Sequence, residues 1–98
     1  MSLPVILRPG AENDARTIYS ELESITIGLG RRFYFQLRAS LERIESMPEM
    51  YGTIWKDVRA VRVRKFRYIV YYVVFVDRVE VIAIMHGSRD ESAWRARV

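Results

Sequence analysis

The sequence predicts an α+β domain with the order β-α-α-β-β-β, a helical hairpin on one face of an antiparallel sheet, and a short C-terminal helical stretch. Two runs between residues 11 and 46 repeat apolar positions at helical spacing and are parted by Gly28-Leu29-Gly30. From about Val61 to His86 the pattern changes to β-branched and aromatic residues with period-two alternation. Helices thus precede most of the strands instead of alternating with them, which separates α+β from a parallel α/β arrangement. The 98 residues suffice for one domain, 1–98, and one core.

Leu3–Arg8 is short and apolar and ends at Pro9-Gly10, so it reads as a strand and a turn. Ala15, Ile18, Leu22 and Ile25 then recur at spacings of three and four, with acids early in the run where a helix dipole favours them. After the glycine break, Phe33, Leu37, Leu41 and Ile44 form a second stripe. That helix is expected to stop near Met47, because Pro48 biases the residue before it away from helix. So short a link predicts an antiparallel hairpin. Glu49–Trp55 reads as a loop. Val61 and Val63 alternate with Arg62 and Arg64, which gives one apolar and one cationic side. Tyr68–Val76 is the longest apolar run and is expected to be a central strand buried on both faces. Asp77-Arg78 is a turn, and Val79, Val81, Ala83 and Met85 alternate with Glu80, Ile82, Ile84 and His86 in the last strand. Gly87 ends it, and Asp90 is placed to cap a short helix carrying Trp94.

Composition excludes several classes. Half the residues are hydrophobic, so the chain is globular rather than disordered. The nine-residue apolar run is about half of what a membrane-spanning helix needs. The N-terminus lacks the pattern of a secretion signal, and the absence of cysteine suits a reducing compartment, so the expected location is the cytoplasm. There is no H-E-x-x-H, no clustered His/Asp spacing and no P-loop, so neither a metal nor a nucleotide cofactor is expected.

The formal net charge of +4 is uneven: residues 1–54 carry net −1 and residues 55–98 net +5. Fourteen of the sixteen cations are arginine, whose planar fork suits phosphate or carboxylate. Arg59, Arg62, Arg64, Lys65 and Arg67 fall within nine residues, which points to an anionic partner, against the plainer alternative of a solvated face. Lys56 has the same two readings.

Four ordered pieces resemble the RelE/ParE superfamily of small bacterial type II toxins, in its ParE-like branch. IYSELESITIGLGRRF is similar to the first helix, the GLG break and the Phe opening the second helix. LERIESMPEMY is similar to the helix end and Pro-Tyr loop, DVRAVRVRKFRYIVYY to the D-V-R, basic strand and F-P-Y-x-I-Y-Y run, and VIAIMHGSRDESAW to the last strand, H-G-x-R-D turn and Trp. Arg67 stands where the family usually has Pro, and Glu91 replaces the Pro that often follows R-D.

The resemblance implies a growth-inhibiting toxin of a plasmid-stabilisation type, neutralised by a cognate acidic antitoxin laid across the hairpin and sheet. It implies one of two targets: ParE-like members poison DNA gyrase without cutting, and RelE-like members cut mRNA at the ribosome without a metal. Under the binding reading, Arg59, Arg62, Arg64, Lys65 and Arg89 would hold the target or its phosphates. Under the nuclease reading, Arg62, Lys65, His86 and Arg89 would be catalytic, with His86 or a tyrosine in acid/base work; Arg89 corresponds to a catalytic arginine of RelE-like members. The scarcity of acid/base groups favours binding: one His, and no carboxylate within residues 59–76. Each candidate also has a structural reading: His86 bonding a backbone carbonyl, Arg89-Asp90 stabilising a turn, and Trp94 pinning its helix rather than stacking on a base. Tyr71 and Tyr72 point to opposite faces, so at most one of them reaches a substrate. An inert relic or regulatory binder is a third reading, and the oligomeric state, a homodimer included, is left open.

Overall fold

The computed structural model describes residues 2–98. The elements are β1 (Val5–Leu7), α1 (Pro9–Ile25), α2 (Leu29–Ser46), β2 (Thr53–Trp55), β3 (Val58–Arg62), β4 (Tyr68–Val74), β5 (Val79–His86) and α3 (Glu91–Arg95). They form a five-stranded sheet in the order β1-β5-β4-β3-β2. All neighbours are antiparallel except β1, which runs parallel to β5 and makes the sheet mixed. The α1–α2 hairpin covers one face and α3 covers part of the other.

Helix α1 opens earlier than the periodicity suggests, because Pro9 supplies a helical φ at a position that needs no N–H. Ala11, Ala15, Ile18 and Leu22 bury its stripe, whereas Ile25 is 72% exposed because the helix runs beyond the sheet. Gly28 has φ +90°, a conformation only glycine adopts cheaply. Glu23 then reaches across the break and accepts from the amides of Gly28, Gly30 and Arg31 at 3.1, 2.9 and 3.3 Å, capping α2 from the preceding helix. Those amides, Gly28 first, lower the Glu23 pKa. Gly30 is where the two helices touch: a Cβ there would lie 2.6 Å from the Tyr19 carbonyl oxygen.

Two features depart from the expected pattern. The loop before Val58 contains β2, a three-residue edge strand paired with β3 through a tight turn at Lys56-Asp57. Lys56 takes φ +51° there without being Gly or Asn, which is why no turn signal marks it. The second departure is a β-bulge in β5. Tyr71 faces Ala83 but Tyr72 faces Val81, so Ile82 has no partner. The simple alternation therefore breaks: Val79, Val81 and Ile84 join the helix-side core, and Ile82, Ala83 and Met85 join the core on the other face. Both faces are apolar here, so the hydrophobic pattern cannot reveal the extra residue.

β1 covers β5 only as far as Val81. Beyond it, side chains close the bare edge. The Asp14 carboxylate accepts from the Ile84 amide at 2.9 Å, and Arg97 donates to the Ile82 carbonyl at 3.2 Å. Asp14 and Arg97 also form a two-pronged ion pair at 2.6 and 3.0 Å, and Arg8 donates to the Arg97 carbonyl at 3.1 Å. This clasp ties α1, the bulged strand and the C-terminal tail together.

The Gly30→Ala variant is expected to melt lower. Helix propensity alone would stabilise it by ~1 kcal/mol, but the clash with backbone costs about 1–3 kcal/mol more than that gain. Arg97→Ala leaves Asp14 without its cation and is expected to cost about 1–3 kcal/mol. A thermal double-mutant cycle with Asp14→Ala should recover coupling; strict additivity would contradict the clasp.

Candidate functional site

The cations divide into two groups. Arg8 and Arg78 hold Glu80, Arg97 holds Asp14, and Arg95 pairs with Glu91 while lying over the Trp55 and Trp94 rings. Arg59, an expected target-binding residue, also belongs to this structural group: its guanidinium donates to the Glu49 and Tyr51 carbonyls and fixes the loop before β2. By contrast, Arg31, Arg32, Arg64, Lys65, Arg67 and Arg89 make no side-chain hydrogen bond or ion pair among the described residues.

Several of these free cations gather at one end of the molecule. The β3–β4 turn, closed by the Val63 amide on the Tyr68 carbonyl and by Lys65 at φ +69°, lies beside the end of β5, where the Gly87 amide donates to the Arg67 carbonyl at 2.7 Å. Three hollows surround this turn. Arg62 and Arg67 flank one, with Ile69 and Gly87. Lys65 and Arg32 share another with Phe66 and Phe35. His86 and Arg89 line the third, of about 480 Å3, with Tyr68 and Glu21.

The sequence candidates thus share one end of the fold but not one pocket. Arg62 opens on the face away from the helices, and His86 opens toward α1, so the sheet stands between them. Lys65 opens toward α2. Arg62, Lys65, His86 and Arg89 do not converge on a single reacting atom in this arrangement.

His86 is placed by the bulge. Its Nδ1 accepts from the Ser88 amide at 3.0 Å and lies 2.7 Å from the Ser88 hydroxyl, rather than donating to a carbonyl. A neutral ring therefore carries its proton on Nε2. The ring meets Tyr68 edge-on at 5.5 Å between centroids. Burial, followed by Glu21, raises the Tyr68 pKa, so its hydroxyl stays protonated near neutrality. Tyr68, not Tyr71 or Tyr72, is the tyrosine beside His86. Tyr71 is buried under Trp94, ring centroids 4.7 Å apart, and Tyr72 donates to the Pro48 carbonyl at 3.2 Å with its pKa pushed by burial to about 12. Trp94 is 3% exposed, so it pins α3 and offers no face to a base. Asp90 caps α3 by accepting from the Ser92 amide at 2.8 Å, which leaves Arg89 outside the expected turn pair.

The sequence reading also missed a groove of about 520 Å3 where the hairpin meets β1. Leu7, Ala15, Leu37 and Leu41 line it, Tyr34 and Phe35 overhang it, and Arg16, Arg31 and Arg38 stand along it. Phe35 is 72% exposed. The signal was present as Phe33-Tyr34-Phe35, since three consecutive aromatics on a helix cannot all face one core. Among the described residues, no cluster of His, Asp and Glu is placed to hold a metal ion, and no helix is long and apolar enough to cross a membrane.

A two-helix hairpin on a small mixed sheet, with unpaired cations at one end, defines a class of small basic α+β proteins. Residues 5–91 match the family described as the ParE toxin of type II toxin-antitoxin system, parDE, and the chain belongs to that family of toxins. Membership implies an antitoxin partner. Solved structures share the fold. One, described as the chromosomal ParDE TA system from P. aeruginosa, superposes with a TM-score of 0.76 at 9% identity over 87% of this chain and 96% of that one. Another, the free E. coli toxin RelE carrying two Arg-to-Ala substitutions, gives 0.74 at 18% identity over 99% and 94%. No curated protein matches by sequence.

Tyr68→Phe removes a hydroxyl from the His86 hollow without touching the backbone. If this hollow performs acid/base chemistry, toxicity should fall by about 10²-fold or more; under a binding mechanism it should change little. Colony counts after induced expression distinguish the two outcomes.

Proposed function

We propose that this toxin inhibits growth in the cytoplasm by binding a nucleic-acid-processing target such as DNA gyrase, and that a cognate acidic antitoxin neutralises it. The observation that carries the reading is the gathering of free cations around the β3–β4 turn while the sheet separates Arg62 from His86 and Arg89. Such a surface attracts and orients a polyanionic complex without needing to cut it. The antitoxin would lay an amphipathic segment into the hairpin groove, covering Tyr34 and Phe35 and meeting Arg16, Arg31 and Arg38 with its acids.

A second reading, metal-free ribosome-dependent mRNA cleavage, draws support from the Tyr68–His86–Arg89 hollow. That hollow contains a carboxylate, Glu21, contributed by α1 from far outside the basic segment.

Expression of the chain alone should arrest growth, and co-expression of the antitoxin should relieve it. Purified chain should block gyrase supercoiling while primer extension finds mRNA intact. Cleavage sites that vanish on Arg89→Ala would reverse the preference. Phe35→Glu should reduce antitoxin co-purification by about tenfold or more, since exposed aromatics carry a large share of interface energy, and should leave the thermal melt near that of the parent.

A further inference from the structure

The cleft between Arg62 and Arg67 has features that the general cationic surface lacks. It is an open hollow of about 330 Å3 between the β3–β4 turn and the end of β5, and no acidic residue among those described lines it. Arg62 Nε donates to the Phe66 carbonyl at 2.8 Å, which orients the guanidinium and leaves its terminal nitrogens without a protein acceptor among the described residues. The Arg67 side chain has no protein partner either, yet its backbone is anchored by the Gly87 amide at 2.7 Å. The Arg62 guanidinium is therefore oriented in advance, which reduces its ordering cost on binding, while Arg67 is anchored through its backbone alone. Ile69 forms an apolar floor, and Gly87 presents a wall without a side chain.

Two planar forks over an apolar floor fit an oxyanion attached to an apolar or sugar-like body. The setting favours a chain of such anions over a single one. On the other side of the same turn, a hollow of about 410 Å3 sets Lys65 and Arg32 beside Phe66, and Arg64, in the same turn, is exposed. Anion sites on both sides of one turn suit a polymer with regularly spaced charges.

We propose that the Arg62–Arg67 cleft is a phosphodiester clamp through which the toxin itself holds a nucleic-acid backbone, with Arg67 as its principal residue. This deepens the functional reading and rests on it, because it assigns part of target engagement to nucleic acid rather than to protein. The clamp is a binding device and breaks no bond.

The test uses the full chain and labelled single-stranded DNA, duplex DNA and single-stranded RNA, with fluorescence anisotropy followed across a salt series. Arg67→Ala should weaken binding about tenfold at low salt and reduce the slope of log K against log salt by about 1. Because the Arg67 side chain makes no internal bond, its melt should match that of the parent. Lys56→Gln removes the same charge at the far end of β3 and should alter neither binding nor slope. The three oligonucleotides identify which backbone is preferred. The clamp is overturned if Lys56→Gln weakens binding as much as Arg67→Ala, since that is diffuse attraction. It is also overturned if no oligonucleotide binds, or if only an acidic peptide binds in an Arg67-dependent way. Growth arrest is scored separately: arrest without oligonucleotide binding removes the clamp and leaves the toxin reading standing, whereas a harmless chain that binds DNA removes the toxin reading alone.

Discussion

The unpaired Ile82 in β5 is the constraint on which the arrangement of the rest depends. Counting back from the Asp77-Arg78 turn without it, Tyr68 would face Met85; with it, Tyr68 faces His86. One extra residue thus moves the only histidine to the helix side and sets it against Tyr68 and α1. A bulge disrupts local pairing, and here it lies where β1 has already ended. The Asp14–Arg97 clasp offsets that loss by bonding the Ile84 amide and the Ile82 carbonyl with side chains. It also shields part of a bare strand edge, a common site of unwanted pairing. Gly10 contributes by staying small: a Cβ there would lie 3.2 Å from an Arg97 nitrogen.

The same economy governs charge. Arginines at the β1 and α3 side are fixed by Glu80, Asp14 and Glu91, and Arg59 is fixed by carbonyls. Glu23 is fixed in turn by the amides of α2. Since its pKa is lowered, Glu23 adds stability above its unfolded pKa and loses that contribution as pH falls through its folded value. What remains uncommitted is concentrated around the β3–β4 turn and along the hairpin. Cations that no carboxylate of the chain engages are left open to carboxylates or phosphates from a partner.

Much of the fold was legible because it rests on strong local signals. The two helical stripes, the Gly28 break, the stop before Pro48, the central strand and the Asp90 cap each follow from periodicity or backbone chemistry in a few residues. The concealed parts depend on tertiary context. β2 is too short for a pattern, and its turn uses Lys56 against its steric preference. The bulge lies within an apolar run buried on both sides. At the site, Arg62, Arg64, Lys65, His86 and Arg89 were visible as residue types, and their gathering at one end follows from strand order. Their separation by the sheet does not, because it depends on the shifted register. Tyr68, Glu21 and the aromatic overhang of the groove come from segments distant in sequence. Arg59 is the converse case: a cation in a basic run whose guanidinium donates to two carbonyls of the loop before β2.

The most direct test of this account is a residue-resolved map of where an anionic polymer meets the chain. Titrating an oligonucleotide into isotope-labelled protein should shift the amides of residues 62–67 and 86–89, leaving those along the hairpin groove and around the Asp14–Arg97 clasp unchanged. Shifts confined to the groove, or spread evenly over every exposed cation, would contradict it.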